Sequence, residues 1–352
     1  MRRGRPAGLL LTAGVALGAV TLLAGGLPGG VAAPRKAVAA VSQISPGTIR
    51  ESDSGPRGLR DALPAEADSA ATATTGPAGV AVPAGATGVR WTTGSLLIGG
   101  LTRTWLLATP ERQGTGRLPL LVVLHGRTVT PAFVAQQSGL LPLVAAGRAV
   151  AVYPAGWQRS WAAGPCCGPA AAAHVDDPAF LRALVRQLAT RPDTDTRRLA
   201  LIGFSNGGRM ALGLACTRTL AGTAQVRAVI AVEAIATSPC TAGPQAATLV
   251  VAGTHDPYVG YDRRSHGPAG ATLPSVQQEV DRWAAAQRCA TPVGVPGALP
   301  ETRRTCATGP LTLVTVPGGD HTWPAALTPV VEQFLTAALP LPAEAGGAAA
   351  AA

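Results

Sequence analysis

Lysine is almost missing from this chain: Lys36 is the only one in 352 residues, and charged residues of all kinds make up only 14%. Positive charge rests on arginine. Arginine, alanine, glycine (43) and proline (31) are used so freely that a biased genome is the simplest account. Aromatic residues are scarce, at 4%, and the net charge of +10 is spread without a basic stripe interleaved with them or a DNA-binding motif, so nucleic acid is not an expected partner. None of the six cysteines has the CxxC spacing of common zinc and redox sites, and no metal or organic cofactor is expected. No internal repeat stands out.

The N-terminus carries a targeting pattern. A basic start (MRRGRP) precedes an apolar stretch over 7–27, then small residues at Val31-Ala32-Ala33 and again at Ala37-Val38-Ala39. The apolar stretch approaches membrane-spanning length, but its Ala, Gly and Thr make it weakly hydrophobic, so cleavage near residue 33 or 39, without stable membrane insertion, is expected over anchoring. Residues 34–87, rich in Ala, Pro, Gly, Ser and Thr, read as a low-complexity linker, and 341–352 as an Ala-rich disordered tail. One domain, 88–340, remains. The expected destination is extracellular, where thiols pair; proximity along the chain matches Cys216 with Cys240 and Cys289 with Cys306, each bridge worth about 3 kcal/mol. Adjacent Cys166 and Cys167 stay unassigned, as do the choice of export route and the oligomeric state.

Within 88–340, short apolar runs alternate with helical segments. Strands are predicted over 101–109, 118–124, 149–153, 199–203, 228–232, 248–252 and 311–316, and helices over 133–147, 178–190, 207–220, 275–288 and 326–339. This alternation predicts an α/β fold with a mostly parallel sheet covered on both faces, and the almost wholly apolar runs LPLLVVL and TLVVA suit strands buried on both sides.

The chemistry gathers at strand ends. Gly203-Phe204-Ser205-Asn206-Gly207 fits G-x-S-x-G between a predicted strand and a predicted helix, the setting of a nucleophile elbow. A serine hydroxyl needs a base, and an Asp and then a His follow in chain order: Asp256 just past the run ending at Ala252, and His321 in the glycine-rich loop after 311–316. His255, Asp262 and Asp320 are the rivals. Asp320 adjoins His321, a poor geometry for a carboxylate that must meet the ring. The backbone N–H groups of Asn206 and Arg127 are the candidate oxyanion donors, with His125 an orienting loop residue. Asp176 and Asp177 precede a predicted helix and read as capping residues rather than as metal ligands. Trp157, Trp161 and Trp323 lie in loops near the same end as candidate substrate contacts.

RTWLLATP at Arg103, LPLLVVLHG at Leu118, WAAGPCCGPA at Trp161, HVDDPAFLRALV at His174, DTRRLALIGFSNGGRMA at Asp195, VAGTHDPYVGY at Val251 and GGDHTWP at Gly318 occur in that order. Together they resemble the exported polyhydroxybutyrate depolymerase and feruloyl esterase family of α/β-hydrolases, related to carbohydrate esterase family one. The resemblance implies an α/β-hydrolase fold, a serine esterase with the triad on Ser205, Asp256 and His321, and disulfides around Cys216 and Cys289. Its implied substrates are hydroxyalkanoate oligomers or feruloyl and acetyl esters of plant cell walls. Pro178 and Asp320 depart from the residues usual in that family. A noncatalytic surface or host-interaction protein keeping the fold, and a serine peptidase, are the alternatives.

Overall fold

The computed structural model describes residues 74–75, 81–83 and 86–342, less 113, 115, 238–239 and 268–270. The targeting segment, most of the linker and the tail beyond 342 lie outside them. Within the expected linker, β1 (Thr74–Thr75) and β2 (Ala81–Val82) pair as a short antiparallel ladder.

The apolar runs form the middle of a ten-stranded sheet. Its strands in chain order are β3 (Val89–Ile98), β4 (Leu101–Pro110), β5 (Leu118–Leu124), β6 (Val150–Pro154), β7 (Thr194–Phe204), β8 (Val226–Val232), β9 (Ala247–Gly253), β12 (Val293–Val295), β13 (Glu301–Cys306) and β14 (Gly309–Val316). Between β9 and β12 a small separate hairpin, β10 (Ser265–His266) with β11 (Thr272–Leu273), leaves the sheet. Across the sheet the order is β12-β13-β14-β9-β8-β7-β5-β6-β4-β3. The strands from β14 to β6 run parallel; β4 and β3 at one edge, and β13 and β12 at the other, are antiparallel.

Period-two alternation divides each central strand between two cores. In β5, Leu118, Leu120, Val122 and Leu124 face one cluster while Leu121 and Val123 face the other. The helices are α1 (Pro131–Gln137), α2 (Leu141–Ala145), α3 (Pro169–Ala172), α4 (Asp177–Ala189), α5 (Asn206–Cys216), α6 (Val276–Ala286) and α7 (Thr328–Ala338). α4, α5 and α6 cover the first face through Phe180, Met210 and Trp283; α1, α2 and α7 cover the second through Val134, Leu143 and Phe334. Parallel strands buried on both faces are what wholly apolar runs require.

Three expectations need correction. The single helix over 133–147 is two, because Gly139 takes φ +67° and ends α1, and Pro142 restarts the chain in the first turn of α2. The helix over 326–339 begins as a 3-10 turn, Ala325–Leu327, before α7. The antiparallel edge strands β3, β12 and β13 were not predicted at all.

All six cysteines are paired at bonding distance: Cys216 with Cys240, Cys289 with Cys306, and Cys166 with Cys167. The first pair ties the end of α5 to the loop after β8, where the Cys240 carbonyl also accepts the Trp283 indole N–H at 2.8 Å. Replacing Cys216 and Cys240 by serine is expected to lower unfolding free energy by about 3 kcal/mol, read from urea unfolding as a lower midpoint. Equal midpoints for wild type and variant would refute a structural role for the bridge. Among the described residues no helix is long and apolar enough to cross a membrane.

Candidate active site

The turn between β7 and α5 is built by absent side chains. A Cβ on Gly203 would lie 2.5 Å from Gly208 N, and one on Gly207 2.5 Å from the His125 carbonyl oxygen. Only glycine lets strand, turn and helix approach this closely. Ser205 sits at the apex with φ +51° and ψ −118°, a conformation held from both sides: its N–H donates to Val232 O at 2.8 Å and its carbonyl accepts Arg209 N–H at 3.0 Å. Strain of this kind persists only where surrounding structure over-determines it.

The loops after β9 and β14 are zipped together and deliver two more side chains. Thr254 N–H donates to Val316 O, His255 N–H to Gly319 O and Gly318 N–H to Thr254 Oγ1, at 3.1, 2.8 and 2.8 Å. Side-chain atoms at Gly253 would collide with the backbone of Gly319. His321 Nδ1 lies 2.7 Å from Asp256 Oδ2, and His321 Nε2 lies 2.7 Å from Ser205 Oγ. Asp256 is buried and His321 partly so. The other Asp256 oxygen, Oδ1, accepts the N–H groups of Tyr258 and Val259 at 2.7 and 2.8 Å. Burial pushes the Asp256 carboxyl up, but the hydrogen bond and charge of His321, with Glu233 and the Val259 N–H, outweigh it and hold the group below the usual carboxylate range. The three sequence candidates Ser205, Asp256 and His321 are therefore brought together. Of the rivals, His255, Asp262 and Asp320 are all exposed.

The oxyanion candidates stand beside the serine. A Cβ on Gly126, the residue before Arg127, would lie 3.6 Å from Ser205 Cβ, so the chain at Gly126 runs against the nucleophile turn. Neither the Asn206 nor the Arg127 N–H is a donor in any hydrogen bond among the described residues. The Asn206 side chain is buried and locks a neighbouring segment: Oδ1 accepts Trp161 N–H at 2.7 Å and Nδ2 donates to Trp161 O at 3.0 Å. His125 is fully buried; Nε2 accepts Gly156 N–H at 2.9 Å, which makes Nδ1, 2.7 Å from Gly126 O, the protonated nitrogen. Burial lowers its pKa to about 4, so the ring is neutral, and both of its nitrogens are already taken by backbone groups.

Two of the three tryptophans fail as substrate contacts. Trp161 is fully buried, with its indole N–H given to His125 O at 3.0 Å, and Trp323 is buried among the second core cluster. Only Trp157 is part-exposed. The aromatic surface beside His321 is Tyr258 instead, 46% exposed and edge-on to the imidazole at 5.1 Å. Asp176 caps α4 as expected, accepting Ala179 N–H at 2.9 Å, whereas Asp177 is a buried partner of Arg103 at 2.6 Å. Sequence reading also missed Glu233, the residue immediately after β8: it is 1% exposed, and one side-chain atom each of Glu233, Asp256 and His321 lie within 4.8 Å of one another. Its signal was an acid closing the apolar run VRAVIAVE.

A parallel sheet with a strained serine at the turn into a helix defines the class, an α/β-hydrolase fold. No family model matches the chain. It is 31% identical over 262 residues to a protein named "Putative esterase NocK" from Nocardia uniformis subsp. tsuyamanensis, covering 66% of this chain and 74% of that protein. Acetyl xylan esterase from Aspergillus awamori superposes with a TM-score of 0.50 at 13% identity, over 69% of this chain and 98% of that one. A feruloyl esterase module from Clostridium thermocellum aligns with a TM-score of 0.48 at 9% identity, over 72% and 88% of the two chains. The chain belongs to the esterase-like α/β-hydrolases that include NocK.

Proposed function

We propose that the protein is an exported serine esterase. The observation that carries this is the unbroken pair of 2.7 Å contacts from Asp256 through His321 to Ser205. In this reading Ser205 Oγ attacks the ester carbonyl as His321 Nε2 takes its proton. The negative charge that develops on the carbonyl oxygen is met by the Asn206 and Arg127 N–H groups, assisted by the N-terminus of α5. His321 then returns the proton to the departing alcohol, and water, deprotonated by the same nitrogen, releases the acid. Asp256 holds Nδ1 protonated and stabilises the imidazolium.

The acyl or alcohol group meets exposed Tyr258 beside His321, a flat surface on which a feruloyl ring can stack; feruloyl or acetyl esters of cell-wall polymers and hydroxyalkanoate oligomers are the substrates of the family the motifs resemble. Export is supported by the basic-apolar N-terminus and by the pairing of every cysteine.

The test combines a fluorophosphonate probe with a p-nitrophenyl ester series, acetate through octanoate, alongside methyl ferulate, a hydroxybutyrate oligomer and a matched anilide. Labelling of wild type but not Ser205→Ala, with ester turnover far above anilide turnover, is the expected result. Folded protein that ignores both probe and esters would sink the enzyme reading in favour of a binding protein; preferential anilide cleavage would make it a peptidase.

A further inference from the structure

Glu233 lies where two functional backbones meet. The carbonyl of Val232, just before it, accepts the Ser205 N–H at 2.8 Å, and its own N–H donates to Val251 O at 2.9 Å. Its φ is +47°, in the left-handed region that side-chain-bearing residues rarely adopt. The carboxyl is enclosed, and both its oxygens lie on the Gly253 N–H, at 2.9 and 3.0 Å. Nothing in the serine mechanism above uses this group.

Two carboxyl groups this close and this buried do not both ionise, so one proton must stay. The partners decide which. Asp256 faces two backbone donors and the His321 ring, whereas Glu233 faces the single N–H of Gly253. Asp256 is therefore the carboxylate and Glu233 the acid. A neutral carboxyl has one O–H to give, and the acceptor beside it is Asp256.

We propose that Glu233 is a positioning residue of this site: a carboxylic acid that donates its proton into a hydrogen bond with Asp256, fixing the carboxylate against His321. The inference rests on the serine reading above. Every facing charge is consistent with it: Asp256 from the loop after β9, Asp320 and His321 from the loop after β14, and Arg209 of α5, the cation in the field of Asp256. Burial, then the hydrogen bond to Asp256 and the charges of Asp256 and Asp320, push the Glu233 carboxyl up to about 9 against the downward pull of the Gly253 N–H. Above that pH a second negative charge arises beside Asp256 and the donated bond is lost. Activity should therefore fall as pH rises through about 9. The same sign governs stability: an acid raised from 4.5 to about 9 favours the folded state most below 4.5, and that contribution drains away as pH climbs to about 9.

Glu233→Gln keeps a neutral donor, and Glu233→Met removes it. The methionine variant is expected to lose about ten- to a hundredfold in kcat with KM little changed. The glutamine variant should recover most of that loss and lack the decline near pH 9. An alkaline limb in Glu233→Gln identical to wild type overturns the proposal, even where Glu233→Met fails to fold. Infrared spectra supply a readout independent of turnover. At pH 7 wild type should show a protonated-carboxyl band that Glu233→Gln lacks and that titrates away near pH 9; no such difference between the two proteins also overturns it. An enzyme that shows the band yet escapes the fluorophosphonate probe would place the failure in the serine reading and not in the Glu233–Asp256 bond.

Discussion

Alanine at Ser205 or at His321 is expected to lower kcat on a p-nitrophenyl ester by about 10⁴- to 10⁶-fold, and alanine at both by no more than either alone. The reason lies in the 2.7 Å contact between Ser205 Oγ and His321 Nε2. A serine hydroxyl is a weak nucleophile until its proton has somewhere to go, and the imidazole has nothing to activate once the hydroxyl is gone. The two act as a unit, so their losses do not add. KM should stay nearly constant, because neither side chain binds the remote parts of the substrate. Some turnover above the uncatalysed rate should survive in every variant, since the N–H groups of Asn206 and Arg127 are backbone and remain. Independent, multiplying losses would mean that the serine and histidine do not share a proton.

Much of this site could be read before any coordinates, because its residues sit where periodicity changes. Apolar runs end at Phe204, Gly253 and Val316, and Ser205, Asp256 and His321 follow each within five residues. Parallel strands direct their ends to one edge of the sheet, so strand-end residues far apart in sequence become neighbours there. What escaped reading depends on side-chain direction and strand order. Trp161 and Trp323 are indeed in loops, but loop membership does not say whether an indole faces solvent or core. Glu233 and Asp256 meet because β8 lies beside β9, an adjacency the chain order permits without requiring. The edge strand β3 escaped for another reason: VRWTTGSLLI mixes Thr, Gly and Ser with its apolar residues, as befits a strand exposed along much of its length.

The largest stability loss is expected at a buried pair whose members stand 74 residues apart in sequence. Arg103 Nη2 lies 2.6 Å from Asp177 Oδ1, with both side chains almost wholly buried, at 2% and 0% exposure. Each also serves the backbone: Arg103 donates to Ala155 O at 3.2 Å, and Asp177 Oδ2 accepts Ala162 N–H at 2.7 Å. The Arg103 guanidinium stacks over the Phe180 ring at 4.3 Å. Asp177→Ala strands a guanidinium out of water and should cost about 3–5 kcal/mol in urea unfolding. Arg103→Met/Asp177→Leu should cost clearly less than the two single losses combined, because no charge is left unpaired, though Ala155 O and Ala162 N–H still lose their partners. The pair also pins both ends of the chain from 155 to 162, which contains Trp161, and Trp161 holds the Asn206 side chain at the start of α5. Asp177→Ala that remains folded at low temperature should therefore lose kcat as well, through Asn206. A variant that loses stability with kcat intact would show that the Asn206–Trp161 contacts keep their geometry without the clamp.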